Sequence, residues 1–148
     1  NIRLDRTGVK RSWDIFNLLS REGFSSNIDP NKESLFQLLR KSRLCVSTTN
    51  TTVFLETLSL NFPTIIFWNS NHSELRDEAV HFFKLLEDAE ILFHCPMQAA
   101  KKVNSISINI DAWWFSEKVQ AARRTFCERY ALASNNWLNE WFVFLNKY

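Results

Sequence analysis

Apolar residues along the chain gather in four short runs, Ile2–Leu4, Leu44–Ser47, Thr64–Trp68 and Ile91–Phe93, which predict strands; the third is rich in β-branched and aromatic side chains. Longer segments of helical period lie between and after them. Ser12 caps a helix reaching Leu19, with Trp13, Phe16 and Leu19 on one face, and the polar stretch Gly23–Pro30 is a loop. Asp29 caps a helix through Arg40 whose apolar side is Leu35, Phe36, Leu38 and Leu39. A third helix runs from Thr52 to about Leu60 and is ended by Asn61 and Pro63. Ser73 caps a fourth, Glu74–Asp88, which repeats Leu75, Ala79, Phe82/Phe83 and Leu86 at helical spacing. Pro96 opens a fifth at its favoured first position. After Asp111 the chain is helical: Glu117–Ala131 carries Val119, Ala122, Phe126 and Tyr130 on one stripe, and Asn135 or Asn136 caps a last, highly aromatic helix bearing Trp137, Leu138, Trp141, Leu145 and Tyr148.

Strand–helix alternation with short connections predicts an α/β fold: a Rossmann-like three-layer α/β/α domain with a short parallel sheet and C-terminal helices. The 148 residues are one domain's worth. With 45% hydrophobic and 23% charged residues the composition is globular, and 2 Gly and 3 Pro argue against a turn-rich all-β fold. The net charge of +2 divides unevenly: residues 1–43 hold nine Lys/Arg against five Asp/Glu, while the remainder is acidic. That mild basicity suits a phosphorylated ligand and is too weak for a dedicated nucleic-acid binder. Cys45, Cys95 and Cys127 form an odd, sparse set with no CxxC spacing, which predicts buried free thiols in a reducing compartment; His94–Cys95 offers two ligands, too few for a metal site. The apolar stretch Val53–Trp68 is broken by Glu56, Asn61 and Pro63, so no membrane span is expected. A start at Asn1, without Met and already strand-like, predicts a piece of a longer protein.

In an open parallel sheet, ligands bind beyond the carboxyl ends of the strands. Two polar loops stand at such ends, Ser47-Thr48-Thr49-Asn50-Thr51-Thr52 and Asn69-Ser70-Asn71-His72-Ser73. The first opens a helix, whose free N–H groups and dipole favour an anion. One hydroxyl would suffice as a cap; six polar residues in a row exceed that need. Glu56, one turn into the helix, has the geometry to accept two hydrogen bonds from a vicinal diol, although a helical Glu is ordinarily just solvated. Arg76 follows the second loop as a candidate partner for phosphate or carboxylate, with a plain surface arginine as the alternative. His72 is a lone loop histidine, and Trp113-Trp114 suits packing better than stacking on a ligand. The chain contains neither a glycine-rich phosphate loop nor a GxSxG elbow.

The run Ser47 to Leu58, followed by Asn61-Phe62-Pro63-Thr64-Ile65-Ile66-Phe67-Trp68, resembles the donor-binding segment in the C-terminal half of GT-B glycosyltransferases. Glu74-Leu75-Arg76, Ala79, Phe82-Phe83, Leu86, Ala89 to Phe93, Pro96, Ala99-Ala100, Trp113-Trp114, Val119-Gln120 and Phe126 resemble, more closely, a family of transferases encoded in bacterial surface-polysaccharide (O-antigen) gene clusters. The resemblance spans roughly residues 30 to 141. It implies that Glu56 holds the ribose of a nucleotide-sugar donor, that Thr48, Thr49, Asn50, Thr51 and Thr52 hold its diphosphate, and that Asn69 and Arg76 line the sugar or phosphate side. It implies no cofactor and no metal beyond the nucleotide-diphosphate sugar as substrate, and no nucleic-acid partner. It further implies a missing N-terminal half that holds the acceptor site and any catalytic base, so that this piece alone is inactive and residues 112–148 pack back toward that half. A cytoplasmic protein, peripheral to the inner membrane where a lipid-linked acceptor requires it, is the expected setting. Two departures stand out: eight positions before Glu56 many GT-B enzymes carry a second glutamate, where this chain has Thr48, and no glycine-rich loop precedes the helix. A nucleotide-sugar epimerase of the same fold has the same donor-site pattern, and a non-catalytic α/β interaction module is the reading from another class. A receiver module needs acidic strand ends, which Ser, Thr and Asn replace here.

Overall fold

The computed structural model describes residues 2, 15–25, 33–69, 74–134 and 136–146. They belong to two compact units, residues 1–41 and 42–148.

In the first unit, α1 (Ile15–Arg21) ends at Gly23, whose φ of 84° and the Phe24 N–H to Leu19 carbonyl bond of 2.9 Å form a Schellman-type stop. Helix α2 (Leu35–Leu39) is capped by Ser34, not by the expected Asp29. Ser34 Oγ accepts from the Gln37 N–H while Gln37 Oε1 accepts from the Ser34 N–H, a reciprocal capping box that satisfies two donors together. Phe36, expected on the apolar side, is exposed. Asp29, Ser12, Trp13 and most of the proposed first strand lie outside the described residues.

The second unit is the α/β domain. Strands β1 (Cys45–Ser47), β2 (Thr64–Phe67) and β3 (Leu92–Phe93) form a parallel sheet in the order β1-β2-β3, with Ser47 opposite Ile66 and Phe67 opposite Phe93. Crossover helices α3 (Thr52–Ser59) and α4 (Asp77–Asp88) connect them. After β3 come α5 (Pro96–Ile106), opened by Pro96 as expected, α6 (Ile110–Trp114), α7 (Glu117–Tyr130) and α8 (Trp137–Leu145).

Period-two alternation in β2 builds the three layers. Ile66 and Trp68 face one way, where Phe54 and Leu58 of α3, Phe83 and Leu86 of α4, and Val119, Ala122 and Phe126 of α7 close over them. Ile65 faces the other way, into Ala99 and Ile106 of α5 and Ile110 of α6. Both crossovers place their helix on the same face, as two connections of one hand must when the strand order runs straight on. The α7 stripe is buried as expected at Val119, Ala122 and Phe126, and this part of the tail packs on the crossover helices α3 and α4.

Helix α4 begins later than expected. Glu74–Arg76 are not helical and Arg76 is the N-cap residue; Ser73 lies outside the described residues. Asp77 and Glu78 occupy the first turn, where carboxylates complement the helix dipole, which explains the start at Asp77. All three cysteines are free, but only Cys127 is buried; Cys45 and Cys95 are half-buried. Burial nonetheless pushes the Cys45 thiol up to about 11. Trp114 is completely buried, whereas its neighbour Trp113 is half-buried.

Asn61 locks the C-terminal helices to the α3–β2 turn. It adopts φ 52°, a left-handed conformation that Asn tolerates. The Trp114 Nε1–H donates to both the Asn61 carbonyl and Oδ1, at 3.0 and 3.1 Å, and Gln120 Nε2 donates to the same Oδ1 at 3.1 Å. Arg123 Nη1 donates to the Leu58 carbonyl at 2.9 Å, which also accepts the Asn61 N–H at 3.0 Å, so one carbonyl at the end of α3 ties the turn to α7.

Candidate functional site

Because the three strands are parallel, the turn after β1, the segment after β2 and the residues after β3 all emerge at one edge of the sheet, on neighbouring strands roughly 4.8 Å apart. Thr48, Thr49, Asn50, Thr51 and Thr52 lie at that edge and are all exposed. Ser47, buried at the end of β1, donates through Oγ to the Thr49 carbonyl at 3.3 Å, and Thr49 and Thr51 share a hydroxyl–hydroxyl bond of 3.0 Å. Thr51 is the N-cap of α3, with extended backbone, yet its side chain makes no bond to the first turn. Among the described residues, no side chain accepts from the first-turn N–H groups of α3, and no acidic residue stands in that turn.

The neighbouring helix start differs. Asp77 and Glu78 already place negative charge at the α4 N-terminus. Arg76 is exposed there and pairs with Glu78 at 3.9 Å. Asn69 follows Trp68 at the end of β2 and is exposed. Glu56 is exposed on α3, away from its buried face of Phe54, Thr57 and Leu58. Strand order and helix polarity therefore bring Thr48–Thr52, Asn69 and Arg76 to a common edge, with Glu56 one turn down α3. His72, with residues 70–73, lies outside the described residues.

The structure adds His94, which the sequence suggested only as half of an insufficient metal pair. It follows β3, meets Trp68 edge-on at 6.3 Å between ring centroids, and its Nε2 lies 2.8 Å from Glu87 Oε1. Glu87 also receives Lys84 Nζ at 3.0 Å. Partial burial would raise the Glu87 carboxyl, but the hydrogen bonds from His94 and Lys84 outweigh it, and the net direction is down. A carboxylate held low in the folded state stabilises the fold above its unfolded value, and that contribution is lost as pH falls through the acid range. Glu87→Gln is therefore expected to flatten the acid limb of a stability-versus-pH curve, measured by urea unfolding at successive pH values. No periodicity marks this pair, since the two residues sit on different elements, seven positions apart.

Among the described residues no group of three His, Cys, Asp or Glu side chains converges, and no helix is long and apolar enough to cross a membrane. The model of the LIC12162 family transferases matches residues 2–145. The chain belongs to that family. No curated protein and no solved structure matches it. Family membership supports a transferase-like role, and the match covers residues of both compact units.

Proposed function

We propose that this member of the LIC12162 family is the nucleotide-sugar-binding domain of a glycosyltransferase-like enzyme in bacterial surface-polysaccharide biosynthesis. The observation that carries the reading is the N-terminus of α3. It opens at the ligand edge of a parallel sheet, lacks both a side-chain cap and first-turn acids, and is bordered by a run of exposed hydroxyls. Backbone N–H groups and the helix dipole there suit a diphosphate, whereas Asp77 and Glu78 disfavour one at α4.

In this reading Thr48, Thr49, Asn50, Thr51 and Thr52 bind the diphosphate and Glu56 accepts the ribose hydroxyls. Asn69 and Arg76 meet the sugar or phosphate side, Arg76 exchanging its long contact with Glu78 for the ligand. An acceptor oxygen attacks the anomeric carbon as its bond to the diphosphate breaks. The diphosphate leaves with the electron pair, and the α3 amides and Arg76 stabilise the developing charge. The acceptor and its base belong to an N-terminal half outside this sequence.

Calorimetric titration of the chain with UDP, GDP, CDP, CMP and their sugars tests the proposal. One nucleotide class should bind saturably, and Glu56→Ala should weaken it about tenfold or more, as expected for hydrogen bonds to a charged group. Equal affinity in the variant would remove Glu56 from the site. Absence of binding by every nucleotide to the folded chain would count against the reading as a whole. Product analysis on an enzyme carrying both halves separates transfer from epimerisation.

A further inference from the structure

Helix α8 contains seven large apolar residues in nine, and none of its residues is buried. Exposure runs from 48% at Val143 to 68% at Phe142, with both tryptophans, Trp137 and Trp141, more than half exposed. At 100° per residue, Phe144, Trp137, Trp141, Leu145, Leu138 and Phe142 fall in one continuous arc of about 160°. Asn139, Glu140 and Val143 occupy the remainder. The arc is partly ordered within the protomer: Trp141 and Phe144 meet edge-on at 5.8 Å. Glu140, just outside the arc, accepts from the Ser134 hydroxyl at 2.5 Å.

Area and charge select the occupant. A covered aromatic side chain buries about 150–250 Å², so six large residues at half to two-thirds exposure present about 600 Å². A patch of that size is at the upper end of what monomers expose. Two such faces laid together remove about 1,200 Å² in total, the threshold of a specific, stable interface. A bilayer surface fits less well. Interfacial helices carry Lys and Arg on the polar face, whereas this one carries Asn139 and Glu140.

We propose that α8 is a homodimerisation helix, packed face to face against α8 of a second copy of this chain rather than against the N-terminal half toward which the resemblance directs residues 112–148. A two-fold axis perpendicular to the helices presents the same arc from both sides, sets the helix dipoles antiparallel, and leaves both Glu140 carboxylates at the solvated rim. Trp141, near the middle of the arc, is the anchor.

Light scattering coupled to size exclusion, over a dilution series of the chain, tests this. The expected mass is twice 17.5 kDa, falling to the monomer on dilution. Trp141→Glu should give the monomer at every concentration, with an unchanged far-ultraviolet circular dichroism spectrum and unfolding midpoint under monomeric conditions. Loss of a central aromatic anchor weakens binding about thirtyfold, and in a symmetric dimer the loss counts twice. Val143→Glu, on the opposite side of the helix, should leave the dimer intact. A wild-type chain that stays monomeric throughout, or a Trp141→Glu variant that stays dimeric, overturns the proposal. So does a monomer that co-sediments with phosphatidylglycerol vesicles through α8, which would make a bilayer the occupant.

Discussion

Replacing Trp114 by alanine is expected to cost about 3–5 kcal/mol, a large share of the stability of a domain whose total is about 5–15 kcal/mol. The indole is completely buried in the larger core cluster, so truncation leaves a large cavity there. It also removes the donor to the Asn61 carbonyl and shares in the loss at Oδ1. Trp114→Phe separates the two effects. It keeps most of the apolar volume but leaves the Asn61 carbonyl without its indole partner, for an expected loss of about 1–3 kcal/mol. Urea unfolding of the three proteins measures both. If the alanine and phenylalanine variants lost the same amount, the hydrogen bonds to the left-handed Asn61 would account for most of the effect; near-wild-type stability of Trp114→Phe would assign it to packing alone.

Phe126→Ala is the second large effect, again about 3–5 kcal/mol. Phe126 has no exposure and touches three rings: Phe54 of α3 at 6.2 Å, Phe83 of α4 at 5.1 Å and Tyr130 at 5.2 Å between centroids. It is the point at which α7 closes over both crossover helices, so its loss removes transfer energy together with an edge-on contact to Phe83 and tilted contacts to Phe54 and Tyr130. Phe126→Leu retains most of the apolar area and should cost roughly 1.5 kcal/mol or less if the site repacks. A Phe126→Ala protein as stable as wild type would mean that α7 is not part of the cooperative core. Because Phe54 sits in the first turns of α3, the same variant should also loosen the Thr48–Thr52 edge, visible as faster amide exchange there.

Thermodynamic weight and functional candidacy are thus separated along α3. Phe54, Thr57 and Leu58 are fully or nearly fully buried and anchor the helix to the sheet. Thr52 and Glu56, on the same helix, are exposed and contribute little to the core. Such a division lets the loop end vary in chemistry while the helix axis stays fixed, the arrangement by which α/β folds carry sites at strand ends.

Much of this is legible in the amino-acid sequence. The three strands fall within one residue of their apolar runs, because a short buried run flanked by Asn, Pro, Ser and Thr has few other solutions. Strand–helix alternation dictates parallel pairing, and parallel pairing puts Thr48–Thr52 and Asn69 at one edge. The α7 stripe and the Pro96 helix start follow from period and from proline's missing N–H. Helix starts are less legible where several polar residues compete. Ser34 prevails at α2 because Gln37 completes a reciprocal pair, and α4 begins at Asp77 because two acids complement its dipole.

What only the tertiary structure decided are the pairings between distant residues. Nothing local distinguishes Trp114 from Trp113, yet one is sealed in the core and bonded to Asn61, 53 positions away, while the other is half-buried. His94 and Glu87 meet because a two-residue strand brings the chain back beside α4. Composition made α8 the most aromatic of the described helices, and only the fold shows that none of its residues is buried. The physical reason is one of range: backbone propensity, capping and periodicity act within a few residues and are written in the sequence, whereas burial and side-chain partnership depend on which surfaces the completed fold brings into contact.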